Sequence, residues 1–255
     1  GGSVSYLYYA DRLNQLPLGV VGIAVATAIL PPLSRALSGG DTDGAIATQN
    51  RGLELALLLT LPAATALAIL ALPILSVLFE RGAFGPVEAS ATASALIAYA
   101  VGLPAFVLVK VLAPAFFARH DTKTPVKVAM VSLATNLVLT IVLMQFFAHI
   151  GVAAALSVAG WLQAVLLMGI LARRSHFRID ARARANLPRI ALATLGMGVA
   201  LIALRVMLDP ALNGGAMMMR LAALAGLVAT GLVAFLALIL LLGVIRWREL
   251  RRLPA

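Results

Sequence analysis

Tyr6 to Pro17 reads YLYYADRLNQLP, an aspartate–arginine pair and two amides set between apolar runs. Val4 to Ala10 before it and Leu16 to Leu37 after it have membrane composition, so the stretch reads as the junction of two spanning helices. An arginine at the centre of a bilayer costs about 2.5–3.5 kcal/mol on insertion scales, so it sits at an interface or beside a polar cavity. Position alone leaves both readings open for Arg12. In one it snorkels beside Tyr6, Tyr8 and Tyr9. In the other, Asp11 restrains it as it turns into a pathway, where its forked donors suit phosphate oxygens better than a lysine would.

Working outward, the chain has 255 residues, 62% hydrophobic and 12% charged. A soluble domain is about half apolar and about a quarter charged. A spanning helix needs about 20 apolar residues. The expectation is an all-α polytopic membrane protein with about eight transmembrane helices. The first is truncated, because the chain opens at Gly1 inside a helix of a longer protein. The later spans read as Leu53–Phe79, Glu88–Phe117, Val126–Phe147, Gly151–Leu171, Ile190–Leu208 and Met217–Ile245. Pro62 and Pro73 predict a kink or break in the third, and Pro104 and Pro114 interrupt the fourth. Such broken helices are common in transporters and also tolerated in ordinary membrane helices.

The net charge of +10 follows the loops and forms no soluble basic face, which argues against nucleic acid. Arg35, Arg51, Arg119, Lys123 and Lys127 fall on one side, with the arginines of 173–189 and of the RWRELRR tail. Arg12, Arg81, Arg205 and Arg220 fall on the other. This asymmetry places the C-terminus in the cytoplasm. The organisation expected is a six-helix lobe over 1–172, a basic linker over 173–189, and two added helices with a basic tail over 190–255.

Few groups carry chemistry. Lys110 lies within a span, as a snorkelling side chain or a second cavity cation. Glu54 follows Arg51 at helical ion-pair spacing. Asn136, Thr140, Gln145 and Gln163 suit interhelical hydrogen bonds. No cysteine is present, the histidines lack ligand spacing, and no phosphate-binding GxxxxGK[ST] loop occurs. No enzyme or cofactor chemistry is expected, and any transport draws on ion gradients, the membrane potential or the substrate's own gradient.

SVSYLYYADRLNQLPLGVVGIAVATAILPPLSR, LVKVLAPAFFARHDTKTPVKVAM and LFERGAF resemble the MurJ (MviN-type) lipid II flippases of the multidrug/oligosaccharidyl-lipid/polysaccharide exporter superfamily. The resemblance implies two six-helix lobes rocking about a central cavity, followed by two extra helices. This chain would hold the end of helix seven and helices eight to fourteen, leaving the N-terminal lobe as its missing partner. It implies a lipid-linked muropeptide on undecaprenyl diphosphate as substrate, flipped across the bacterial inner membrane. Arg12 maps onto a cavity arginine, and Ser5 onto a lining position. Some members resemble sodium-coupled exporters with a carboxylate on helix eleven. Here only Asn136 and Thr140 stand there as weak sodium candidates, with no acid. The last two helices would shape a groove for the polyprenyl tail. The competing readings are an exporter of drugs or other lipid-linked oligosaccharides, and a non-transporting scaffold for cell-wall enzymes.

Overall fold

The computed structural model describes residues 3–82, 84–214 and 216–244. Ala83, Ile245 and the RWRELRR tail lie outside them. The elements are α1 (Ser3–Ser38), α2 (Thr42–Phe79), α3 (Pro86–Phe117), α4 (Lys123–Arg173), α5 (Ala181–Met207), α6 (Asp209–Gly214) and α7 (Met217–Leu241). Six of the helices are long and apolar enough to cross a membrane, so the chain is a multi-span α-helical bundle.

The junction expected at Tyr6–Pro17 is absent, and with it the separate truncated first helix. α1 runs unbroken through 36 residues, with Pro17 inside it. The polar residues that suggested a loop are accommodated within the helix. Asn14 turns inward and is 2% exposed, next to fully buried Ala10 one turn earlier. Asp11, Arg12 and Gln15 bond one another at i+3 and i+4 on the outer side. Pro17 removes one backbone donor and does not end the helix.

α4 supplies the opposite case. Its 51 residues are one helix in name, broken at Ala148, where φ is 47° and ψ is −127°. Ser132 donates to the Ala159 carbonyl at 2.8 Å. A Cβ on Gly151 would stand 2.5 Å from the Leu143 carbonyl carbon and oxygen. Those contacts require two antiparallel arms folded about Ala148, where the sequence predicts a very short AHIG connection. Counting its arms separately gives seven membrane-length segments among the described residues, where the sequence suggests about eight.

The breaks expected at prolines are also absent. α2 passes through Pro62 and Pro73, and α3 through Pro104 and Pro114. In lipid every freed backbone group needs a new partner. Pro73 cannot donate to the Ile69 carbonyl, and the Arg205 guanidinium of α5 does so instead at 2.7 Å. Near the end of α2, Arg220 of α7 donates to the Ser76 carbonyl at 3.2 Å and pairs with Glu80 at 3.7 Å. An unfilled buried carbonyl costs about 1–3 kcal/mol, so these two arginines hold α2 to the added helices.

α3 is the central helix, packed against α1, α2 and α4. Small residues permit the close approach. The Ser157 hydroxyl of α4 donates to the Ala98 carbonyl at 2.6 Å, and the Gly160 surface receives the Phe106 ring. α5 and α7 pack on each other and on α2, forming their own apolar core around Met197, Leu201, Leu227 and Phe235.

The basic loops meet at one end of the bundle. Arg174 bonds Asp121 at 2.6 Å and Arg178 bonds Asp43 at 2.8 Å. Glu54 holds Arg51 at 2.8 Å, the pair expected from spacing, and also accepts from Asn186 at 3.1 Å. Half of the expected 173–189 linker is therefore helix, because Asp180 caps α5 by accepting from the Ala183 amide at 2.7 Å.

This end has a defined pH response. The Thr124 hydroxyl, and after it Arg174, holds the Asp121 carboxyl below its ordinary 3.8. Burial, then Arg119 and Arg174, holds His176 below its ordinary 6.5. Both shifts are downward, so both contributions are complete above the ordinary values and vanish as pH falls through the folded ones. Melting of the solubilised protein should be level above about pH 6.5 and decline on acidification. His176→Gln should flatten the upper part of that decline, and an unchanged profile would remove His176 from it.

Candidate substrate-binding face and lipid groove

Arg12 stands on the exposed side of α1, away from the faces packed on α2 and α3. Its guanidinium lies 5.0 Å from the centre of the Tyr8 ring, one turn earlier. Its Nη1 donates to Gln15 Oε1 at 3.3 Å. Gln15 Nε2 donates in turn to Asp11. Asp11 thus steadies Arg12 through an amide bridge. The sequence reading missed Gln15, although its position, i+4 from Asp11 and i+3 from Arg12, is a recognisable signal. Tyr9 points the other way, into a cluster with Phe79 at 5.3 Å and Phe84 at 5.6 Å, which fixes the rotation of this end of α1.

Ser5 is exposed two turns before Arg12 on the same side of the helix. Lys110 is exposed at the seam of α3 and α1. A Cβ on Gly22 would meet Lys110 Nζ at 2.6 Å, so the ammonium lies on the Gly22 backbone. Val111, the next residue, sits level with Ile29, since both crowd Gly52. Gly22 is about 10 Å farther from the basic end than Ile29. Lys110 therefore extends away from the basic end of the bundle. Arg12 and the Lys110 ammonium flank one strip of α1, about 15 Å apart along its axis.

Asn136 and Thr140 are half-buried neighbours on the first arm of α4, with the Thr140 hydroxyl donating to Asn136 Oδ1 at 3.5 Å. Among the described residues, no group of three histidine, cysteine or acidic side chains could hold a metal.

A hollow lies elsewhere in the bundle. An apolar groove of about 420 Å³ runs between α2, α5 and α7, lined by Pro62, Leu70, Leu201, Gly231 and Phe235 among others. Pro62 is the proline that faces a cavity, while Pro104 is buried against neighbouring helices. Leu58 lines both this groove and a smaller hollow of about 150 Å³ at the basic end, walled by Arg51, Glu54 and Arg182. Arg12 stands on the open face of α1 with the Lys110 ammonium of α3 at its edge, and the groove between α2, α5 and α7 is walled by apolar side chains.

Residues 1–223 match the family model described as lipid II flippase MurJ. A probable lipid II flippase MurJ of Rhizobium meliloti is 45% identical over 237 residues, covering 92% of this chain and 44% of that protein. Its counterpart in Vibrio cholerae is 38% identical over 250 residues, covering 98% of this chain and 47% of that protein. A solved lipid II flippase MurJ in an inward closed conformation superposes with a TM-score of 0.77 at 27% identity, over 98% of this chain and 48% of that one. The chain thus spans about half the length of the relatives it matches. With the family model matched over most of its length, the chain belongs to the MurJ family of lipid II flippases.

Proposed function

We propose that the chain is the C-terminal half of a two-lobe flippase moving an undecaprenyl-diphosphate-linked muropeptide from the inner to the outer leaflet of the bacterial inner membrane. The observation that carries this reading is Arg12, a guanidinium braced on a membrane-helix face that the chain leaves uncovered. The uncovered face is one wall of the pathway, and the other comes from the half of the relatives' length that this chain does not span. Arg12 takes the diphosphate through its forked donors, steadied by Asp11. Ser5 lines the same wall, and Lys110 supplies a second cation. Residues 1–172 act as the transport lobe, and 190–255 carry the lipid tail in the groove between α5, α7 and α2. The basic end faces the cytoplasm, which puts the C-terminus there as well.

Carrying negative charge out of a cell that is negative inside is downhill, by about 2.3 kcal/mol per charge per 100 mV. The membrane potential is therefore the drive we propose. Asn136 and Thr140 bring no anionic oxygen to a sodium ion, which prefers several oxygen ligands.

Reconstituted full-length protein tests the substrate. It should flip a fluorescent diphosphate-linked muropeptide and leave hydrophobic cationic drugs in place. Equal transport of the drugs would point to a drug exporter. No transport at all, with cell-wall enzymes still recruited, would point to a scaffold.

A further inference from the structure

We infer that Arg205 is a positioning residue for the apolar groove, setting the distance of α5 from α2 by supplying the donor that Pro73 lacks. The inference rests on the reading of that groove as the seat of the lipid tail. Its geometry is specific. The Ile69 carbonyl that Arg205 Nη1 reaches at 2.7 Å directly precedes Leu70, a wall of the groove. On α5, Leu201 lines the groove one turn before Arg205. On α7, Arg220 holds the Ser76 carbonyl two turns before Val228, another wall residue. Both added helices are thus tied by guanidiniums to the same end of α2. At the basic end, Glu54 ties α2 to Asn186 of α5. Between these anchors α5 touches α2 at Gly198, where a Cβ would meet Thr65 Cγ2 at 3.2 Å, and the hollow opens beside that contact with α7 as its far wall.

Apolar helices in lipid have little hydrophobic drive to associate, because lipid tails are as apolar as their side chains. Polar contacts at the ends therefore act with the close contact at Gly198 to hold the spacing, and a proline in α2 creates the acceptor for one of them. A proline elsewhere in α2 would not serve, since the freed carbonyl must face α5 at the level of Arg205.

The test compares substrates carrying the full polyprenyl tail with analogues whose tail is too short to fill the groove, in reconstituted full-length protein. Arg205→Ala should raise KM for the long-tailed substrate about tenfold, the effect of one charge-assisted hydrogen bond, and leave kcat and the short-tailed substrate within about twofold. Arg205→Lys keeps a donor and should recover most of the loss. Pro73→Ala placed in the Arg205→Ala background returns an amide to the Ile69 carbonyl and should recover it too. Equal losses on both substrates, or no recovery in either variant, would overturn the assignment.

A distance measurement decides the matter even where transport fails. Spin labels at Leu72 and Val206 should move apart in Arg205→Gln and return in the double variant with Pro73→Ala; an unchanged spacing overturns the inference. Gly231→Phe fills the groove itself. Should it leave long-tailed transport untouched, the tail-seat reading fails, while the label distances still decide whether Arg205 sets the spacing.

Discussion

Arg12→Ala in the full-length protein is expected to abolish growth in cells depleted of their own flippase, at expression equal to the parent. Arg12→Lys should restore little of it. The reason is geometric: a guanidinium gives a diphosphate two parallel donors, whereas an ammonium is a point charge without the fork. Losing a charged hydrogen bond of this type costs about 1.5–3 kcal/mol, or roughly ten- to a hundredfold in affinity. Arg12 is exposed, and exposed substitutions stay within about 0.5 kcal/mol in stability, so loss of growth reports on binding rather than folding. Gln15→Ala should have an intermediate effect, because it releases the bridge between Asp11 and Arg12. Normal growth with both Arg12 variants would remove this residue from the mechanism.

The second large effect is expected at Gly151. A side chain there meets backbone on the facing arm of α4, 2.5 Å from the Leu143 carbonyl and 2.8 Å from the Met144 nitrogen. Backbone cannot rotate aside as the tip of a side chain can, so Gly151→Val must open the hairpin at Ala148. Overpacking costs about 1–3 kcal/mol in ordinary cores, and this site belongs at the upper end. The first arm of α4 has few other holds: in it only Pro125, Val128 and Ser132 are buried. Loss of the monodisperse folded peak on heating, at a temperature well below that of the parent, is the expected result. A melting temperature unchanged in Gly151→Val would show that the arms do not approach as described.

These two sites also mark what the sequence reveals and what it conceals. Periodic apolar length and the clustering of arginines identify a helical membrane bundle, because both properties are local. The hairpin at Ala148 is legible as well, since AHIG is too short for anything but a tight reversal. Tyr6–Pro17 misleads because polarity in a helix looks the same in one dimension whether its groups face water or one another. Only the i+3 and i+4 partners on the folded helix show that Gln15 bridges Asp11 and Arg12. The prolines mislead for a related reason. Pro73 reads as a kink or a break, and the helix stays continuous where Arg205, far along the chain, fills the vacancy at Ile69. Charge asymmetry likewise makes Arg205 and Arg220 look like exceptions to a topological rule, while in space they are carbonyl partners. The groove has no linear signature, since its walls come from three separate helices whose composition is that of any lipid-facing segment.

The continuity of α1 carries one more consequence. At 1.5 Å per residue, about 34 Å of helix separates Arg12 from Arg35, close to the full depth of a bilayer's hydrocarbon. Arg12 is thus moored at the far shore. On the pathway we propose, a headgroup reaching Arg12 has left most of the dielectric barrier behind it, with the ammonium of Lys110 as a waypoint. In such a crossing Arg12 governs arrival and release more than capture, and its loss should strand cargo partway.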